Sequence, residues 1–121
     1  MPSGWISPKQ RKNLYDRDAD TCCYCGKVGK RYTKEVWKQN PLDVITLDHI
    51  IPQHELAQEY PDIKDFRKAI KNPHNLVTVC NGCNSSKKHT PLFLWCETKG
   101  IDYKVIQQRI AYRTSIQMRF V

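Results

Sequence analysis

No apolar run in the chain approaches the ~18 residues that a membrane span needs, and neither an internal repeat nor a low-complexity tract is present. A membrane-spanning helix and a solenoid or array are therefore excluded. The opening segment, Met1 to Trp5, lacks the basic-then-apolar profile of a secretory signal, so the expected compartment is a reducing cytoplasm. Acidic residues are in short supply. Twelve Asp and Glu stand against 20 Lys and Arg, for a net charge of +8 and a pI near 9.3. That balance points to a polyanionic partner such as nucleic acid. It is uneven: residues 1 to 40 carry +5, residues 41 to 80 carry −2 and residues 81 to 121 carry +5, a slightly acidic centre between two basic ends. With 121 residues, 40% of them hydrophobic and 26% charged, the chain is expected to form one domain, 1 to 121, with a modest core.

Local signals place most of the elements. Ser7 followed by Pro8 reads as an N-cap and first helical position for a helix over Lys9 to Asp18, with Leu14 and Tyr15 inward. Arg31 to Trp37 fits a strand or a short helix, and Asn40-Pro41 ends either one. Val44 to Leu47 is β-branched and apolar, and this strand delivers Asp48 and His49 before Pro52. Pro61-Asp62 to Lys71 reads as a short surface helix with Ile63, Phe66 and Ile70 at helical spacing. Leu76 to Val79 is a second strand leading to Cys80. A helix is expected from about Asn84 to Lys88, another restarting at Thr90-Pro91 and stopped by Gly100, and a last one from about Asp102 to Met118. That last helix would bury Val105, Ile106, Ile110 and Met118 and present Lys104, Arg109, Arg113 and Arg119 on or near its outer face.

The six cysteines carry the first chemical signal. Cys22 and Cys25 form one C-x-x-C, and Cys80 and Cys83 form a second. Two such turns are what a tetrahedral structural Zn²⁺ site is built from, since each offers two thiolates with backbone amides directed at the sulfurs. A disulfide pair is disfavoured by the reducing compartment, and a thioredoxin-like pair lacks its βαβ setting. The site would close a loop of more than fifty residues and dominate the stability of so small a domain. Cys23 and Cys96 are read as packing residues, with Cys23 the substitute ligand.

Between the cysteine pairs lies Leu47-Asp48-His49-Ile50-Ile51-Pro52. Asn75-Leu76-Val77 precedes the second pair, and Asn84-Ser85-Ser86-Lys87 follows it. An isolated Asp-His is weak evidence of catalysis. The ordered set, however, resembles the HNH endonuclease family, in its subgroup stapled by a four-cysteine zinc site. The matching pieces are C-x-Y-C-G at Cys22 to Gly26, D-H-I-I-P at Asp48 to Pro52 and N-L-V-x-V-C-x-x-C-N-x-x-K at Asn75 to Lys87. With the lead-in from Leu14 to Asp18 they cover residues 14 to 88, or 75 of the 121 residues.

The resemblance implies an α+β fold with a ββα-metal (His-Me finger) core, a short β-hairpin and a helix around a catalytic cation, with helices flanking at both ends. The motif core would be about 14 to 88 and a basic helical extension about 91 to 118. His49 would be the general base, since a neutral imidazole near pH 7 takes a proton from water. Asp48 and Asn84 would be hard oxygen ligands for one Mg²⁺ or Mn²⁺. Asn75 would fix the loop or the orientation of His49, and Lys87 and Lys88 would contact phosphate. The family often has His where this chain has Asn84, so this is an H-N-N version of the pattern. His89 is a candidate substitute, although a solvent-facing or phosphate-contacting role fits it better. His54 and His74 are read as surface or loop residues.

The implied activity is metal-dependent hydrolysis of DNA phosphodiester bonds, nicking or cutting, by a one-metal mechanism with the basic ends on backbone phosphates. A phosphate-reading site is indifferent to the base and admits RNA as well as DNA. The alternative is a catalytically inactive, zinc-stapled nucleic-acid-binding module. Specificity in so small a chain would need a partner or a homodimer formed through the C-terminal basic helix. The resemblance also implies a phage-packaging, restriction or mobile-element setting, and the residues select none of the three.

Overall fold

Ser7 accepts a hydrogen bond from the Gln10 amide at 3.1 Å and Pro8 occupies the first turn, so the chain enters its first helix as the capping signals require. The computed structural model describes residues 6 to 115. Over these residues the order is α1 (Pro8–Arg17), α2 (Lys34–Gln39), β1 (Ile45–His49), α3 (Gln53–Glu59), α4 (Ile63–Ile70), β2 (Leu76–Cys80), α5 (Asn81–Lys87), α6 (Leu92–Lys99) and α7 (Tyr103–Ser115), with 3-10 turns at Pro41–Asp43 and Pro73–Asn75. None of these helices is long and apolar enough to cross a membrane. Met118 and Arg119 lie outside the described residues.

Among the described residues the fold is mixed α+β with one two-stranded sheet. β1 and β2 pair antiparallel, from Ile45 opposite Cys80 to His49 opposite Leu76. They are not joined by a tight hairpin turn, because residues 50 to 75 intervene and carry α3 and α4. β2 is buried at all five positions, with α1, α5 and α7 packed against it. Such burial on both faces matches its unbroken Leu-Val-Thr-Val-Cys run. α5 follows β2 without a break and packs on both strands.

β2 contributes to two apolar clusters, Val77 and Val79 to one and Leu76 to the other. Tyr24, Val77, Val79, Trp95, Cys96 and Ile106 belong to the first, and Ile6, Leu14, Leu56, Ile70 and Leu76 make the second. Each buried Leu or Ile contributes about 1.5 to 3 kcal/mol. Gly29 allows the chain to close onto β1, since a Cβ there would stand 2.5 Å from both Asp43 O and Ile45 Cγ2. Gly100 ends α6 in the left-handed region at φ +69°, as a glycine stop predicts.

Several expectations need correction. For Arg31 to Trp37 the short helix is the reading that holds, as α2 over Lys34–Gln39, capped by Thr33, whose hydroxyl accepts from Val36 N at 3.1 Å. α3 carries no signal in the sequence: Gln-His-Glu-Leu-Ala-Gln-Glu buries Leu56 alone and so lacks an apolar period. α5 begins at Asn81 rather than Asn84, because Cys80 acts as its N-cap through its sulfur. On α4, Ile70 is buried while Ile63 is exposed. Val105 on α7 is 39% exposed, and Arg113 is buried instead of outward. Arg109 also turns in, donating to the carbonyls of Cys23 and Tyr24 at 3.2 Å each. Both guanidinium groups reach backbone acceptors, that of Arg113 the Thr78 carbonyl at 3.3 Å.

Candidate functional site

Cys22 and Cys25 lie in the turn after α1, Cys80 closes β2 and Cys83 stands in the first turn of α5. Tertiary pairing brings their four sulfurs within 4.8 Å of one another. The Cys25 amide is directed at Cys22 Sγ at 3.5 Å, the Cys83 amide at Cys80 Sγ at 3.4 Å, and Cys25 and Cys80 Sγ are 3.9 Å apart. A tetrahedral Zn²⁺ with metal–sulfur bonds of ~2.3 Å sets its sulfurs about 3.8 Å apart, so the donor set fits that ion. The Cys83 sulfhydryl on Cys22 pulls the Cys22 thiol down to about 4 and is itself pushed up in the exchange. Cys23 and Cys96 pack in the first cluster, where burial raises both thiols, Cys23 to about 11.

Beside this cluster, an open cleft of about 810 Å³ runs between the end of β1, the start of α3 and α5. Asp48, His49, Asn84, Lys87, Lys88 and His89 line it. Asp48 and His49 are strand neighbours, which normally address opposite faces. Both reach the cleft because β1 ends at His49. His49 Nε2 lies 3.1 Å from the Ile70 carbonyl, an acceptor that requires a proton on that nitrogen. Nδ1 is then the basic nitrogen, with the Gln53 amide nitrogen 3.3 Å away. Burial lowers the His49 pKa, partly opposed by the Ile70 carbonyl and the Asp48 charge, so the ring is neutral at pH 7.

Asn75 does not line the cleft. Its Oδ1 accepts from Ile51 N at 2.7 Å and its Nδ2 donates to Ile51 O at 3.2 Å, while its carbonyl accepts from Ile50 N at 2.9 Å. These bonds clamp the turn that follows His49.

Asp48 is gripped from behind. Tyr24 donates its hydroxyl to Asp48 Oδ2, and Lys87 Nζ lies 3.4 Å from the same oxygen. Lys87 is only 5% exposed, with its ammonium 6.0 Å from the centroid of the Tyr24 ring. Burial, with the Asp48 charge beside it, holds the Tyr24 phenol protonated well above its usual range. Lys88 ends α5 at φ +50°, a strained position for a side-chain-bearing residue, and it is exposed on the cleft rim with His89. His54 is exposed on α3 and His74 is exposed with Nδ1 2.8 Å from the Thr114 carbonyl. Tyr24 and Gln53 were not singled out from the sequence. The signal for Tyr24 was its place inside the first cysteine turn; for Gln53 it was the four-residue spacing from His49.

Over 89 residues, 74% of its length, the chain is 32% identical to the CRISPR-associated endonuclease Cas9 of Actinomyces naeslundii. The match spans 6% of that protein's length. No family model matches the chain. No solved structure matches it either.

Proposed function

We propose that the chain is an HNH-type endonuclease that hydrolyses DNA phosphodiester bonds, with β1, β2 and α5 as its ββα-metal core and structural Zn²⁺ on Cys22, Cys25, Cys80 and Cys83. Residues 1 to 121 are taken as a single nuclease domain. The observation that carries this reading is His49. Its Nε2 is committed to the Ile70 carbonyl, which leaves Nδ1 neutral and basic in a cleft shared with Asp48 and Asn84, where it accepts from the Gln53 amide that an attacking water would displace. That ring accepts the proton of the attacking water.

Asp48 and Asn84 supply the hard oxygen donors that suit Mg²⁺ or Mn²⁺. Such a cation, when bound, neutralises charge on the scissile phosphate and the leaving oxygen. Asn75 keeps the turn after His49 in place. Lys88, on the rim, meets the phosphate backbone, and Lys87 reaches it from within the cleft while restraining Asp48. Similarity to an endonuclease over most of this chain supports the same class of chemistry.

Cleavage of supercoiled plasmid by zinc-loaded protein tests the reading, with Mg²⁺, Mn²⁺ or no added cation, beside His49→Ala. Cation-dependent nicking or linearisation is expected, with a loss of about 10²- to 10⁴-fold in the variant at unchanged zinc content. Equal cutting by the variant would remove His49 as the base. DNA binding without cutting under any cation would instead make the chain a zinc-stapled docking module.

A further inference from the structure

A second groove, of about 600 Å³, adjoins the cleft and shares Arg11, Thr46 and Asn84 with it. Tyr32 and Trp37 form one wall. They are 64% and 45% exposed, with ring centroids 6.2 Å apart and planes inclined at 54°. Neither belongs to an apolar cluster, and α2, which carries Trp37, buries no residue at all. The rings are therefore not explained by core packing. Basic side chains border them. Lys12 and Arg31 are tied to Asp16 at 2.9 and 2.5 Å, whereas the Arg11 guanidinium meets the neutral Tyr15 hydroxyl at 3.0 Å and keeps its charge for a ligand.

An occupant of this groove must offer a flat aromatic face joined to an anion. In duplex DNA both faces of every base are covered by neighbours, so a base reaches a protein ring only when its strand is unpaired or the base is turned out. The groove volume lies in the range that holds a nucleotide-sized ligand. We propose that Tyr32 and Trp37 stack unpaired bases of the DNA strand whose phosphate enters the neighbouring cleft. The favoured substrate is then DNA with a single-stranded segment at the point of cleavage, not continuous duplex. The placement of the phosphate rests on the nuclease reading; the stacking surface does not.

The test is fluorescence anisotropy with zinc-loaded full chain, a labelled single-stranded DNA of about 12 nucleotides and its duplex form, at matched salt without added divalent cation. Single-strand binding is expected to be roughly tenfold tighter. Tyr32→Ala with Trp37→Ala should reduce that preference to near one while the salt slope holds, since no phosphate contact is lost. Tyr32→Phe with Trp37→Phe should restore it. Equal wild-type affinity for the two forms would overturn the proposal. So would a phenylalanine pair that behaves like the alanine pair at normal zinc content and circular dichroism. Tighter binding of single-stranded RNA of the same sequence would overturn it in favour of RNA. The readout is binding, so failure of plasmid cleavage leaves this surface standing, and equal affinities here leave the His49 experiment standing.

Discussion

The Tyr24 hydroxyl donates to Asp48 Oδ2 at 2.5 Å, which ties the first cysteine turn to the end of β1 across 24 positions of sequence. The four-cysteine cluster and the cleft are thus joined through a side-chain hydrogen bond. With Oδ2 held by Tyr24 and Lys87, the other carboxylate oxygen has a fixed direction, as the proposed role of Asp48 as a cation ligand requires.

Tyr24→Phe removes that hydrogen bond and keeps the ring in its cluster. A hydrogen bond to a charged group is worth about 1.5 to 3 kcal/mol, and Lys87 still restrains the carboxylate, so the expected effect is about a tenfold rise in the Mn²⁺ concentration for half-maximal cleavage. Titrating plasmid cleavage against Mn²⁺ measures it. An unchanged half-saturation would show that the hydroxyl does not position Asp48.

Removal of zinc should unfold the chain. Cys25 and Cys80 are 55 positions apart, so a metal held by both would close a loop of nearly half the chain, and structural zinc contributes about 10 to 16 kcal/mol of apparent binding energy. Chelation or Cys83→Ser should abolish near-ultraviolet circular dichroism together with bound zinc. A chelated protein that keeps its tertiary signal would show the cluster to be dispensable.

Cleavage should depend on pH through His49. Its folded pKa is lowered by burial, so the neutral base forms already below the ordinary imidazole value of about 6.5. The rate at saturating cation should reach its plateau by neutral pH and fall in acid. Stability follows the same sign: the unfolded ring binds the proton more readily. This contribution is therefore complete above about 6.5 and is lost as pH falls through the folded value. The difference in denaturation midpoint between wild type and His49→Ala at pH 5 and 7.5 reads it directly.

Asp18→Ala should cost about 3 to 5 kcal/mol, the usual penalty for breaking a buried ion pair. Arg17 and Asp18 pair at 2.7 Å with side chains 1% and 0% exposed. Asp18 also accepts from Thr78 N at 2.9 Å, and Arg17 donates to the carbonyls of Pro73 and Leu76. Urea denaturation of the zinc-loaded protein measures the loss. A change below 1 kcal/mol would mean that the network is replaced by solvent.

Local chemistry made much of this legible in advance. Ser7-Pro8 specified the start of α1, the β-branched runs specified both strands, and Gly100 specified the end of α6, because caps, branching and left-handed geometry act within a few residues. The paired C-x-x-C spacing announced a four-sulfur cluster, since ligand spacing within each turn is itself local. α3 and the inward turn of Arg113 were not legible: a helix that buries one leucine has no period, and a buried arginine depends on carbonyls contributed by distant elements.

The sequence by itself determined which residues are chemically able to act: four thiols in two turns, one Asp-His pair, two asparagines and an excess of basic charge. Only the tertiary structure decided which of them meet. Pairing of β1 with β2 set Asp48 and His49 beside α5, and the Ile70 carbonyl selected which His49 nitrogen is basic. Packing of Tyr24 behind Asp48, and of Tyr32 and Trp37 along the adjoining groove, followed from the same closure. Residue type fixes donor, acceptor and charge, whereas direction and distance arise only when segments far apart in the chain are brought together.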